Sequence, residues 1–364
     1  GDALQDGWAA RFENGTLVAL GPEAEGQSGV CVDLAGDILC PGFVDLQVNG
    51  GDGLMLNDAP TVETLKRMAK AHRGLGCQTI LPTLITDTPE KTHATIAATI
   101  SAVERGVEGI GGLHLEGPHL SVARKGAHDA ALIRPMTNDD MDVLLHAASN
   151  LPALMVTLAP ENVTAEQVRR LDEAGVVVSL GHTDASFDTC MAYFAAGARC
   201  ATHLFNAMSQ MGNREPGLVG AVLASGTVAA GIIADGIHVH PQTVRAALDA
   251  KRGPGEIFLV SDAMAVAGTD LDGFALEGRR IDRREGRLTL EDGTLAGADL
   301  DLITAIRTMV EHVGVPLESA LRAATSVPAS LMGLNNVGRL TRGAGLSEVI
   351  RLSADLTQVA LAYA

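Results

Sequence analysis

The chain has 364 residues, 46% hydrophobic and 20% charged, which supplies apolar material for a large core and excludes a disordered or collagen-like chain. Aromatic residues make up 3%, too few for stacking platforms on single-stranded nucleic acid, and a net charge of −17 opposes duplex binding. An acidic chain still binds an anionic small molecule where a few basic groups converge.

Five scattered cysteines, Cys31, Cys40, Cys77, Cys190 and Cys200, with no C-x-x-C pair, read as reduced thiols, and with no signal-peptide pattern the expectation is a cytoplasmic protein. Residues 1–40 alternate apolar and polar positions around turn signals, with Asn14-Gly15 as a hairpin dipeptide, so they predict a small β element. From Pro41 short apolar runs alternate with helical segments such as 61–74, 89–106, 185–197 and 241–250.

The apolar runs are 42–47, 79–84, 110–116, 153–159, 176–181, 200–203, 228–235 and 257–262, and this number predicts a (β/α)8 barrel with its chemistry at the C-terminal strand ends. The uncharged stretch 217–234 carries Gly217, Gly220, Gly226 and Gly231, which predicts a turn and a buried strand rather than a membrane helix. Residues 271–293 predict a β excursion, 302–313 and 317–332 two helices, and 348–362 a tail returning to the N-terminal β element. The expected division is a small β domain from 1–40 and 339–364 around a barrel at 41–338.

Candidate ligands and acid–base groups stand at or just past several runs: Glu116, His182, His203 and Asp262, with His238 beyond Ile-Ile-Ala-Asp-Gly. Taken singly, each histidine reads as a hydrogen-bonded strand-end residue and Glu116 as an ion-pair partner. At matching strand ends they converge on one mouth. One glutamate and two histidines leave a fourth position for water, a standard catalytic zinc set, with Asp262 free to act as base.

At this point the residues resemble a family. Pro41-Gly-Phe-Val-Asp-Leu-Gln-Val-Asn-Gly, His114-Leu-Glu-Gly-Pro-His, Lys125-Gly-Ala-His128, Gly181-His-Thr, Thr202-His-Leu-Phe-Asn-Ala-Met208, Arg214-Glu-Pro-Gly, Ala234-Asp-Gly-Ile-His238, Ser261-Asp-Ala and Gly293-Thr-Leu-Ala-Gly297 are similar to motifs of the N-acetylglucosamine-6-phosphate deacetylases of the amidohydrolase superfamily. The ordered set spans about Gly15 to Gly338, and its order makes it specific.

The resemblance implies that Glu116, His182 and His203 hold the metal and that Asp262 is the catalytic aspartate. It implies that His128 lies beside the acetamido group and that Ala127, Asn206, Ala207, Arg214, His238, Ala296, Gly297 and Ala298 contact substrate. It further implies a homodimer in which Arg214 reaches the neighbouring site to meet the phosphate. The superfamily's frequent His-x-His is Gln47-Val-Asn49 here; neutral amides are weak zinc ligands, so one divalent metal, zinc by expectation, is implied, with Gln47 and Asn49 bonding water or groups around the site. His119 stands where an aromatic residue commonly follows Glu-Gly-Pro, which leaves it as pocket wall, extra ligand or neither.

The function expected is hydrolysis of N-acetylglucosamine 6-phosphate to glucosamine 6-phosphate and acetate in amino-sugar catabolism and cell-wall recycling, with no nucleic-acid or membrane partner. The rivals are an amidohydrolase acting on a cyclic amide or another acylated amino sugar, and a sugar-phosphate-binding regulator that has lost the chemistry. Lys125-Gly-Ala-His128 and the missing His-x-His count against a binuclear cyclic amidase, and an intact Asp262 with its three ligands counts against the regulator.

Overall fold

The eight apolar runs form the eight strands of one parallel sheet: β1 (Phe43–Val48), β2 (Cys77–Ile85), β3 (Leu113–Glu116), β4 (Leu154–Leu158), β5 (Val177–Leu180), β6 (Cys200–Ala201), β7 (Ala229–Ile232) and β8 (Ile257–Leu259). The computed structural model describes residues 3–24, 29–276 and 278–362. Every residue of these strands is buried, as a parallel sheet requires when helices cover one face and its own side chains fill the other. Neighbours pair in chain order. Beyond the last strand, Val48 bridges Ala263, and Asn49 N donates to Ala263 O at 2.8 Å, which brings the two sheet edges together as a nearly closed (β/α)8 barrel. All C-terminal strand ends therefore share one rim.

Four of the connecting helices begin at threonines placed to accept a backbone N–H from the first turn: Thr61, Thr88, Thr137 and Thr164. Thr137 and Thr164 form full capping boxes with Asp140 and Gln167. Two expectations need correction. The stretch 217–234 holds the expected buried strand, β7, after a bend at 226–227, but it opens on a buried helix, Gly217–Ala224, that was not expected; a helix buried on nearly every side has no polar face to reveal its period. The helix expected over 317–332 is two, Leu317–Ala324 and Ser326–Leu331, parted at Thr325, whose φ of −133° and ψ of −87° leave the helical region.

Asn14 and Gly15 both take positive φ, 48° and 75°, in the hairpin between Ala9–Glu13 and Thr16–Gly21. Ile38–Pro41 pairs antiparallel with Val349–Leu352, which pairs in turn with Val359–Leu361. Leu17 N and Leu346 N donate to Ala344 O and Gly15 O at 2.8 and 2.7 Å, so the two ends of the chain meet. Residues 1, 2, 25–28, 363 and 364 of the expected small β domain lie outside the described residues.

The β excursion runs past 293: Gly273–Leu276, Arg279–Arg284, Arg287–Thr289 and Leu295–Ala298 make an antiparallel sheet of four strands. Phe274, Leu276, Ile281, Leu288 and Ala296 pack on Met55, Ile85 and Met264, a second core at the rim that carries the strand ends. Among the described residues no helix is long and apolar enough to cross a membrane.

Candidate metal centre and catalytic cleft

Glu116 closes β3, while His182 and His203 each lie two residues past β5 and β6 and Asp262 lies three past β8. The last three turn sharply: His182, His203 and Asp262 have φ of 47°, 32° and 51°. Non-glycine residues in this region cost on the order of 1–3 kcal/mol each and persist only where the surrounding structure holds them. Their clustering at one rim marks the site independently of residue type.

The three side chains close a small triangle. His182 Nε2 lies 3.0 Å from His203 Nε2, and both lie beside Glu116 Oε1, at 3.3 and 3.2 Å. Donors about 2.0–2.1 Å from a tetrahedral zinc stand roughly 3.3 Å apart, so these edges fit such an ion. His182 Nδ1 donates to Arg124 O at 2.9 Å, which fixes that proton and, in the neutral ring, leaves the Nε2 lone pair to the triangle. Burial would push the Glu116 carboxyl up, but hydrogen bonds and charge from His182 and His203 outweigh it and hold the pKa well below the usual carboxylate range. Burial alone would lower the His203 pKa; Glu116 raises it instead. It is the closeness of a carboxylate oxygen and two imidazole nitrogens that makes this a cation site.

Asp262 faces this triangle. Burial, then the charge of Glu116, pushes its pKa up to about 6, against His203 and the Asn49 hydrogen bond, which lower it. Gln47 Nε2 donates to both Glu116 Oε1 (3.1 Å) and Asp262 Oδ1 (3.2 Å). These groups open on a cavity of about 550 Å³, walled by strand-end loops and by Leu276, Thr294, Leu295 and Gly297 of the inserted sheet. A cavity of that size suits a small-molecule substrate.

The amidohydrolase family model matches residues 38–345. The chain belongs to the amidohydrolase family. An N-acetylgalactosamine-6-phosphate deacetylase of Shewanella sp. (strain ANA-3) is 42% identical over 85% of this chain and 78% of its own length. An N-acetylglucosamine-6-phosphate deacetylase of Haemophilus influenzae is 37% identical over 94% and 90%. The crystal structure of the N-acetylglucosamine-6-phosphate deacetylase from Pasteurella multocida superposes with a TM-score of 0.92 at 33% identity, covering 99% of this chain and 95% of that one.

In this amidohydrolase the cavity brings together Asn49, Glu116, Ala127, His128, His182, His203, Asn206, Ala207, His238, Asp262 and Gly297. Ala296 and Ala298 are not among them: both side chains are buried, Ala296 in the inserted sheet's core and Ala298 in the main core, so only Gly297 between them meets the cavity. Arg214 stands exposed on the loop before Gly217–Ala224, outside this chain's own cavity. His119 is neither wall of this cavity nor ligand. Its Nδ1 lies 3.0 Å from Arg134 O, beside a separate cavity of about 30 Å³ with room only for water.

Two partners escape a reading by motif. His128 Nδ1 lies 2.8 Å from Thr86 Oγ1 and 3.3 Å from Thr86 N; the backbone N–H can only donate, and with Nδ1 accepting from both groups the neutral ring carries its proton on Nε2; burial, with His182 next in size, pushes the His128 pKa down to about 3. Asp235 Oδ2 accepts from His238 Nδ1 at 2.6 Å while its Oδ1 takes the backbone N–H groups of Ile237 and His238, both at 2.8 Å. Asp235 was visible in Ala234-Asp-Gly-Ile-His238 at i−3 from the histidine, a spacing that suits an Asx-type turn.

Proposed function

We propose that this amidohydrolase hydrolyses the acetamido bond of N-acetylglucosamine 6-phosphate, releasing acetate and glucosamine 6-phosphate. The observation that carries this reading is the Glu116–His182–His203 triangle facing Asp262 in one cavity, in a chain whose relatives include deacetylases of this substrate. Glu116, His182 and His203 would hold one divalent metal, zinc in the simplest case, whose chemistry here is to acidify a water and polarise the amide carbonyl. Asp262 takes the proton from the attacking water and returns it to the departing amine, acting first as base and then as acid. His128 donates Nε2–H to the carbonyl oxygen as negative charge develops there. Gln47 and Asn49 hold Asp262 and Glu116 rather than a second ion.

His238 meets the phosphate, and Asn206, Ala207, Ala127 and Gly297 line the sugar. Arg214, exposed and not part of the lining of its own cavity, completes the phosphate site of a second copy, which makes the working unit a homodimer. The termini form a small β domain, 1–40 with 339–364, beside the barrel at 41–338. The enzyme works in the cytoplasm, in amino-sugar catabolism and cell-wall recycling.

Acetate release from N-acetylglucosamine 6-phosphate, with metal content measured on the same sample, tests the reading; no turnover by metal-replete protein overturns it. The 42% identity to a relative named for the galacto substrate favours a second reading, the C4 epimer. The ratio of kcat/KM for the two epimers decides between them.

A further inference from the structure

One layer below the triangle lies a line of buried polar side chains that the proposed chemistry leaves unused. His114 stands two residues before Glu116, Ser179 three before His182 and Thr202 immediately before His203, while Thr157 sits on β4 between their strands. None is more than 4% exposed. Ser179 Oγ lies 2.7 Å from Thr202 Oγ1, Thr202 Oγ1 2.6 Å from Thr157 Oγ1, and Thr157 Oγ1 2.7 Å from His114 Nε2. His114 Nδ1 lies 2.9 Å from Leu46 O on β1. A carbonyl can only accept, so the ring proton sits on Nδ1 and, in the neutral ring, Nε2 accepts from Thr157. The remaining protons then run one way, Ser179 to Thr202 to Thr157 to His114 to Leu46 O, and every hydroxyl is used.

We propose that this belt is a positioning device for the metal ligands, a reading that rests on Glu116, His182 and His203 being those ligands. The apolar layers of a barrel resist changes in volume but are less specific about how far one strand slides past the next. Hydrogen bonds weaken steeply with angle and distance, so a closed line of them fixes the rise of each strand against its neighbours. β6 is the shortest strand of the sheet: Cys200 and Ala201 pair with β5 and β7, Thr202 N donates to Leu180 O at 3.0 Å and Leu204 N to Gly231 O at 2.7 Å, and the ligand His203 lies between those last two bonds. Thr202 joins the end of β6 to both β4 and β5 through its single hydroxyl. The strand ends that carry all three ligands are thereby held in one register, and a functional constellation tolerates only about 0.5 Å of error.

Thr157→Val keeps the shape of the side chain and removes both of its belt bonds, and Thr157→Ser restores the hydroxyl. Metal affinity is measured by competition with a chromophoric chelator, using Zn²⁺ and Co²⁺ alone as probes, together with the visible bands of the Co²⁺-loaded protein and the Tm of the metal-free protein. We expect Thr157→Val to weaken metal binding about ten- to a hundredfold and to shift the Co²⁺ bands, with Thr157→Ser returning both towards wild type. A lowered metal-free Tm with unchanged affinity and spectrum overturns the proposal, because the belt then serves packing alone. Should Thr157→Val fail to fold, Ser179→Ala at the open end of the line carries the same test, with a smaller shift in the same direction expected and no shift overturning the proposal. Glu116→Gln separates the two layers of the argument: if it binds metal as tightly as wild type, the ligand assignment fails rather than the belt.

Discussion

Asn49 Nδ2 donates to Asp262 Oδ1 at 2.7 Å, and Gln47 Nε2 reaches the same oxygen at 3.2 Å, so two amides from the end of β1 hold one oxygen of the proposed base. This bond joins the first and last strands of the barrel at the point where their backbones also meet, through Asn49 N and Ala263 O. Asp262 is thus aimed by the barrel's own closure. Asp262→Asn offers an amide oxygen to the same two donors, so the cavity and metal should survive while turnover falls by several orders of magnitude, since an amide cannot accept the water's proton. Single-turnover kinetics beside metal analysis checks this. A variant keeping more than about a tenth of wild-type kcat, a loss below ~1.4 kcal/mol, shows that Asp262 is not the base.

Metal stoichiometry follows from the same amides. Glu116, His182 and His203 offer three strong ligands, whereas Gln47 and Asn49 are already committed to Asp262 and are poor ligands besides. Elemental analysis should give close to one ion per chain. Chelation should lower Tm, and restoring the ion should raise it with concentration as mass action requires. Two ions per chain, one of them lost in Gln47→Ala, would contradict the mononuclear site.

Much of the barrel was legible because its strands are buried on both faces and therefore read as largely apolar runs, three of which, β3, β5 and β6, end at or two residues short of a candidate ligand. Gly217–Ala224 was not, because its buried residues surround the helix and leave no polar stripe. Motif spacing placed Glu116, His182, His203 and Asp262 at strand ends, but the left-handed turns that swing His182, His203 and Asp262 inward left no trace in residue type, since glycine is the usual marker of such a backbone. Alternation along 295–298 turns Gly297 to the cavity and sends the side chains of Ala296 and Ala298 into the two cores.

The donor role proposed for His128 depends on Thr86, whose hydroxyl and backbone N–H lie 2.8 and 3.3 Å from Nδ1. Removing the proton on Nε2 should cost transition-state stabilisation more than binding. His128→Ala should lower kcat by about 10²–10³-fold with a small change in KM. Steady-state kinetics over the accessible substrate range distinguishes this from a binding role, which would raise KM and spare kcat.

In the proposed phosphate site, Asp235 Oδ2 lies behind His238, 2.6 Å from its Nδ1. Asp235→Asn keeps a side-chain oxygen for the backbone N–H groups but replaces the carboxylate that receives His238 Nδ1–H, so the imidazole loses its fixed orientation. We expect KM for the phosphorylated sugar to rise several-fold and kcat/KM for the free sugar to change little. An equal loss on both substrates would place Asp235 in general support of the loop and remove His238 from the phosphate site.

If Arg214 acts across a two-fold interface, Arg214→Ala and Asp262→Asn damage different halves of each composite site. In a mixed dimer, one site combines the intact Asp262 of one chain with the intact Arg214 of the other, and the second site carries both lesions. Random exchange in an equal mixture makes about half of the dimers mixed, each with one whole site, so activity should recover to roughly a quarter of wild type for independent sites. Arg214 is exposed in its own chain and does not line its own cavity. An Arg214 that serves only its own surface predicts activity no greater than the sum of the two separate variants. That flat result, obtained after native mass spectrometry has verified subunit exchange, would refute the shared site and return the phosphate contact to His238 alone.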